Sequence, residues 1–301
     1  RAATSLGIGK DAPATVSGLS LKRTLDKGLQ LRWDAVSTGA HNGYVDPASV
    51  TYKVVRQPDA KTVSESTTAT VLYDNVESGE LAKYWYEVTP SAYGKSGETL
   101  ASNKVVVGPG KATPYSENFE KQEAFDYFTV LDANNDSKTW SYNEYSQTAE
   151  YAGDATVKAD DWLILPPLKL NKSGYYKVTF NVRCNSQNKH LLAVALGNLP
   201  EAENMTTSVM PATEFSTRFE TQKVEAKFLV PSDGDYFLGF HLLSDALMHS
   251  FEIQDISVEQ YTTTDTPAAV ADLAVKPAAK GELKSEVSFT LPSKAIGGAA
   301  V

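Results

Sequence analysis

The residues best placed to do chemistry in this chain lie in one short run, Asp132-Ala133-Asn134-Asn135-Asp136. Oxygen-bearing side chains fall there at alternate positions of a turn, which is how one loop can wrap several hard ligands around a calcium ion. Calcium takes six to eight oxygens, so Asp132, Asn134 and Asp136 need main-chain carbonyls and a distant carboxylate beside them. The run lacks the central Gly and the closing Glu of the helix-loop-helix calcium hand, and Trp140 starts a strand where that motif starts a helix. The same side chains also make a turn that stabilises itself through side-chain to main-chain hydrogen bonds. The residues alone leave both readings open.

Other chemistry finds little support. His41, His190, His241 and His249 fall on different segments without the i, i+4 spacing of a zinc helix, and no serine stands in a G-x-S-x-G elbow. Cys184 is the sole cysteine, which excludes an intramolecular disulfide framework and a cysteine-rich zinc site. It continues the strand parity of Val182 and reads as a small buried apolar side chain. Acidic residues are abundant, but a glycosidase pair is defined by spatial separation, which abundance does not supply. The expectation is therefore a chain without catalysis of its own. Tyr142, Tyr145 and Tyr151 occupy a polar, Gly-containing loop. Such aromatics either stack on a sugar face and anchor a protein partner, or fold back onto their own domain.

The formal net charge of -9 argues against a nucleic-acid partner, since a phosphate backbone requires a basic face. No apolar run is long enough to span a bilayer. The chain starts without Met and without a signal peptide, as a processed or cut piece of something longer does.

The elements that must position these residues read as strands. Tyr176, Val178, Phe180 and Val182 alternate with Lys177, Thr179, Asn181 and Arg183, and the alternation returns at Val224, Ala226 and Phe228 and at Tyr236, Leu238, Phe240 and Leu242. Leu29, Leu31 and Trp33, then Val50, Tyr52 and Val54, then Tyr84, Tyr86 and Val88 repeat the pattern nearer the start. The fold class expected is all-β: two β-sandwiches in tandem with partial β-modules at both ends. A repeat supports the modular reading. A-P-A-T-V-S-G-L-S-L-K at 12–22 matches T-P-A-A-V-A-D-L-A-V-K at 266–276, and each copy is followed by another strand. The expected units are a last strand and linker at 1–12, a sandwich at 13–108, a linker at 109–113, a second sandwich at 114–262 and an initial pair of strands at 263–301.

Two resemblances attach to these units. L-Q-L-R-W-D, V-T-Y-K-V-V-R, Y-W-Y-E-V-T and S-G-E-T-L-A-S-N in the first resemble a fibronectin type III module, in its bacterial form, with Tyr84 at the position of that family's core tyrosine beside the Trp. No Arg-Gly-Asp tripeptide is present. In the second, E-N-F-E, L-D-A-N-N-D-S-K-T-W, D-D-W-L-I-L-P-P-L-K-L and F-E-I-Q-D-I-S-V resemble the cleaved-adhesin, or choice-of-anchor, jelly rolls. These occur in haemagglutinin-adhesin regions of secreted Bacteroidetes proteins, including those attached to cysteine proteases of the gingipain type. The resemblance implies an extracellular or cell-surface adhesion module that binds a glycan or a host or matrix protein, or else a spacer or carbohydrate-binding accessory of a larger hydrolase or protease. It also implies a structural calcium. Carried over residue by residue, the ligands are Asp132, Asn134 and Asp136, with Glu120 from the opening strand as partner or, alternatively, Asp255 from the closing strand, both of which also read as solvated strand-edge carboxylates. Where the family has D-x-D-G-D-G, this chain has Asn at the second oxygen position and Asn135 and Ser137 in place of the glycines. Asp160 and Asp161 read as a strand entry ahead of a core Trp162 and stand outside the site.

Overall fold

The structure is a computed structural model and describes residues 9–26, 28–154, 156–172, 174–184, 189–218, 220–246, 249–261, 268–277 and 284–294. The expected last strand at 1–12 and the opening of the second repeat at 266–267 fall largely or wholly outside these residues.

The first unit is a β-sandwich. One sheet joins β1 (Ser20–Thr24), β2 (Gly28–Arg32) and β5 (Val71–Asp74); the other joins β3 (Thr51–Gln57), β4 (Lys61–Thr67), β6 (Ala82–Ala92) and the short β7 (Lys95–Ser96), β8 (Leu100–Ala101) and β9 (Val105–Val107). The inward parity of these strands brings Leu21, Leu29, Leu31 and Trp33 against Tyr52, Val54, Tyr86 and Val88 in one apolar cluster. Trp33 meets the edge of the Tyr52 ring at 5.3 Å between centroids. Tyr84, expected in the core beside the Trp, is half-buried and packs against this cluster with the Arg56 guanidinium over its ring, while Tyr86 two residues later is fully buried. Parity alone admits either residue; Arg56 and Asp74 decide, since the Tyr86 hydroxyl donates to the Asp74 carboxylate at 2.8 Å.

The second unit is a larger sandwich. Its first sheet contains β12 (Trp140–Asn143), β13 (Thr148–Tyr151), β21 (Phe251–Gln260), β16 (Tyr176–Cys184) and β19 (Gln222–Phe228), with β10 (Tyr115–Glu117) also on β21. Its second sheet contains β11 (Thr129–Asp132), β14 (Asp161–Ile164), β20 (Gly234–Leu242), β17 (His190–Gly197) and β18 (Thr207–Phe215), with β15 (Leu168–Leu170) also on β20. Opening and closing strands pair antiparallel, Tyr115 opposite Val258. Every second residue of β16 points inward, Cys184 included, and Phe180 crosses to the Phe240 edge at 4.9 Å.

The second sheet also carries apolar residues on its outer side. Trp162, Ile164 and Phe237 form a separate cluster there with Ala195 and Met205. The Trp162 ring lies across β20 and stacks on His241 at 3.9 Å, and a Cβ at residue 239 would stand 2.9 Å from that ring, so only glycine fits beneath it. His241 takes the outward parity expected of it and shares a 2.6 Å hydrogen bond with Asp160, a satisfied histidine.

Main-chain bonds tie the two sandwiches. Lys111 donates its N–H to the Pro167 carbonyl at 2.7 Å and accepts from the Lys169 N–H at 2.8 Å, so the connecting segment joins the edge of the second unit beside β15. Gly110 donates to Asp235, which lies too close for any Cβ at that position. Arg23 donates to the Val106 carbonyl and lies 5.2 Å from the Phe237 ring centroid, and Lys83 pairs with Asp126 at 3.1 Å. A third element, the hairpin β22 (Ala271–Pro277) with β23 (Ser285–Thr290), is antiparallel and exposed throughout.

Candidate functional site

The acidic run closes the turn that follows β11. Asp132 is the last residue of that strand and lies directly opposite Asp161, the first residue of β14, in the antiparallel ladder. The Asp132 carboxylate accepts the N–H groups of Asp136 (3.1 Å) and Ser137 (2.8 Å), and the Asp136 carboxylate accepts that of Lys138 at 2.7 Å. Asn134 donates its amide N–H groups to Asp136 and to the Lys158 carbonyl, both at 2.7 Å, which leaves its oxygen for another partner. The turn is thus held by its own side chains. Asn135 and Ser137 both take left-handed backbone, with φ of 56° and 67°, at the two positions where the resembling family has glycine. Serine is strained there. Ser137→Gly is expected to add about 0.5–1 kcal/mol of stability, read from urea denaturation.

Under this turn lies a feature that strand parity concealed. Asp161 is fully buried, and its Oδ2 accepts the Asp160 N–H at 3.1 Å while its Oδ1 has no hydrogen-bond partner. Burial pushes its carboxyl up to about 6; the neighbouring Thr139 hydroxyl opposes the shift without reaching hydrogen-bond geometry, and the Asp132 and Asp136 charges reinforce it. Thr139 Oγ1 and the Tyr151 hydroxyl are also buried without a partner. Burial, and then the charges of Asp161, Asp136, Asp154 and Asp132, raise the Tyr151 hydroxyl far above its ordinary value. Three buried, unpartnered oxygens therefore sit beneath two partly exposed carboxylates. The sequence signal for this was the Asp-Asp pair before Trp162, which read as an ordinary strand entry because a two-residue acidic step carries no parity information.

The other expected ligands lie elsewhere. Glu120 accepts from Asn118 at 2.9 Å in an exposed turn past the opening strand, and Asp255, at a bulge with φ of 52°, accepts from Asn181 at 2.9 Å. Among the described residues no three Asp, Glu, His or Cys side chains are grouped to hold one metal ion. A calcium at this turn would draw on the carboxylates of Asp132 and Asp136, the Asn134 oxygen and main-chain carbonyls, with Asp161 behind them. The hard-oxygen donor set and the orphaned oxygens fit such an ion.

The three loop tyrosines part company. Tyr151 is buried against the edge of Trp140, and Tyr142 is half-buried against Phe125. Tyr145 alone is fully exposed, at the tip of the β12–β13 turn. That turn is stiff, because Asn143 Oδ1 accepts the N–H groups of both Tyr145 (2.9 Å) and Ser146 (3.2 Å).

No protein-family model and no curated protein sequence matches this chain. Among solved structures it is similar to two cleaved adhesin domains of Lys-gingipain from Porphyromonas gingivalis. One shows 15% identity over 50% of this chain and 99% of that one, with a TM-score of 0.41. The other shows 15% identity over 48% of this chain and 96% of that one, with a TM-score of 0.40. A xylan-binding domain from Paenibacillus barcinonensis is similar at 12% identity over 50% of this chain and 94% of that one, with a TM-score of 0.36. Among the described residues no helix is long and apolar enough to cross a membrane.

Proposed function

We propose that this chain is a non-catalytic, extracellular recognition fragment: a fibronectin type III module followed by an adhesin-type jelly roll that binds a glycan or a protein surface through its loops, with calcium bracing the Asp132–Asp136 turn. The observation that carries the reading is Tyr145. Fully exposed at such a tip, its ring packs against nothing in the domain and is offered to stack on a sugar face or to fill a pocket, on a turn whose main chain is already fixed. The three-strand sheet facing the β3–β6 sheet around Trp33 supports the fibronectin type III assignment of the first unit. The test is a glycan array and a panel of immobilised matrix proteins, probed with the whole chain and with Tyr145→Ala. Loss of roughly tenfold or more in affinity with an unchanged melting curve is expected. Binding that is absent throughout, or indifferent to Tyr145, overturns the reading.

A second reading, a stiff spacer that holds other domains apart, is favoured by the hydrogen-bonded joint between the sandwiches. It predicts that Arg23→Ala with Lys83→Ala loosens that joint at a cost of about 1 kcal/mol, seen as a larger maximum dimension in small-angle X-ray scattering.

A further inference from the structure

A cleft opens where the two sandwiches meet. It holds about 900 Å3, and its walls come from residues 79–81 ahead of β6, from the connecting segment at 109–112, and from β10 with the turn that carries Tyr127. Clefts of this size at the junction of two domains are preferred places for small ligands. Leu81 and the buried Pro166 supply part of an apolar lining.

The polar groups of the cleft are of both signs and are not spent on one another. Glu80 and Lys111 are exposed, and among the described residues neither side chain has an ion-pair or hydrogen-bond partner. Glu117 accepts the Phe119 N–H at Oε1 (2.7 Å), which leaves its second oxygen. The Tyr115 and Tyr127 hydroxyls have no hydrogen-bond partner among the described residues. Burial, and then the Glu117 charge, raise the Tyr115 hydroxyl above its ordinary value, so it stays an O–H donor. Lys83, 5.6 Å from the Tyr127 ring centroid, is already paired with Asp126 at 3.1 Å.

Such a lining selects by charge. An anion meets Glu80 and Glu117, and a cation meets Lys111. A neutral polyhydroxyl ligand uses every one of these groups, because each hydroxyl both donates and accepts, while its C–H faces suit the apolar part.

We propose that this cleft binds a short neutral oligosaccharide, with Glu80 and Glu117 accepting from its hydroxyls and Lys111, Tyr115 and Tyr127 donating to them. The site is separate from Tyr145 and from the Asp132–Asp136 turn and depends on neither. Because its walls belong to both sandwiches, a ligand there also fastens the joint, whose main-chain bonds run through Lys111 and Lys169.

The test titrates the whole chain with cellotriose, xylotriose, maltotriose and mannotriose while amide chemical shifts are followed. At least one sugar is expected to shift the Leu81, Gly110, Ser116 and Tyr127 amides saturably below about 10 mM, and to slow exchange at Lys111 and Lys169 about threefold or more. Glu80→Ala and Lys111→Ala remove side chains without partners, so each is expected to weaken that binding about tenfold with an unchanged melting curve. Tyr145→Ala is expected to leave it within about twofold. A panel that shifts none of these amides overturns the proposal, as does binding indifferent to both Glu80→Ala and Lys111→Ala. Sugar binding lost only in Tyr145→Ala removes this site and leaves the loop reading standing. Trilysine, added as a cationic probe, overturns the proposal if it alone shifts these amides and Glu80→Ala abolishes the effect, which assigns the cleft to a basic peptide.

Discussion

Calcium at a hundredfold excess over its dissociation constant is expected to stabilise the second sandwich by about 2.7 kcal/mol, a rise of roughly 5–10 °C in its melting temperature. Only a ligand that prefers the folded chain does this, and the turn after β11 offers such a preference: Asp132 and Asp136 are already oriented by three main-chain N–H groups. The control is Asp132→Asn with Asp136→Asn. Asparagine keeps one acceptor oxygen at each position, so each residue loses one of the two bonds it accepts while the charge that attracts the ion is gone. The double variant is expected to melt roughly 3–8 °C below the wild type in chelator, for the two bonds lost, and to show no response to calcium. A calcium response retained in the variant, or missing from the wild type at millimolar calcium, removes the ion from this turn.

The second large effect concerns Asp161 and is separable from the first by pH. Its carboxyl is raised from 3.8 to about 6 in the folded chain, so the folded state holds the proton more tightly than the unfolded one. Stability from this group is therefore complete below pH 4 and is lost as the pH climbs through 6, by about 1–3 kcal/mol without calcium. Asp161→Asn removes the charge at nearly constant volume. In chelator at pH 7.5 it is expected to raise the melting temperature by roughly 3–8 °C and to flatten the dependence between pH 4 and 6. In calcium the sign reverses, because the buried charge behind the ion is gone and calcium binding weakens. Denaturation of wild type and variant at pH 4, 6 and 7.5, with and without calcium, separates these outcomes. A variant that is less stable than wild type in chelator at pH 7.5 sinks the argument.

The strands were legible in the sequence because one physical rule governs them. A half-buried strand must alternate, and the alternation at Tyr176–Val182 and at Tyr236–Leu242 is what the sheets use. Phe237 and Trp162 broke that rule: both are buried on the outward parity, since the first unit and the loop bearing Met205 cover the sheet from outside. No period can announce a neighbour that arrives from another part of the chain. The turn at Asp132 was legible as a turn of alternating oxygen side chains, with the self-bonded and the ion-binding readings both open, while the left-handed backbone at Asn135 and Ser137 came from the structure. Asp161 beneath it was not, because its importance comes from pairing across the ladder with Asp132, a relation between residues nearly thirty apart. Glu120 and Asp255 show the converse. Opening and closing strands do pair, yet each carboxylate found a nearer amide in Asn118 and Asn181.

The pairing of β10 with β21 sets how the second sandwich carries tension. Tyr115 lies opposite Val258, so the chain enters and leaves this sandwich at one end, side by side. A pull on the two flanks does not run through the body of the domain; it separates two neighbouring strand ends, loading their hydrogen bonds one after another in the manner of a zip. Just ahead of that point stand the Gly110 bond to Asp235 and the two bonds of Lys111, which lie outside the zip and meet the load before it does. Under stretch the joint is expected to yield first, while the loop that carries Tyr145 stays folded.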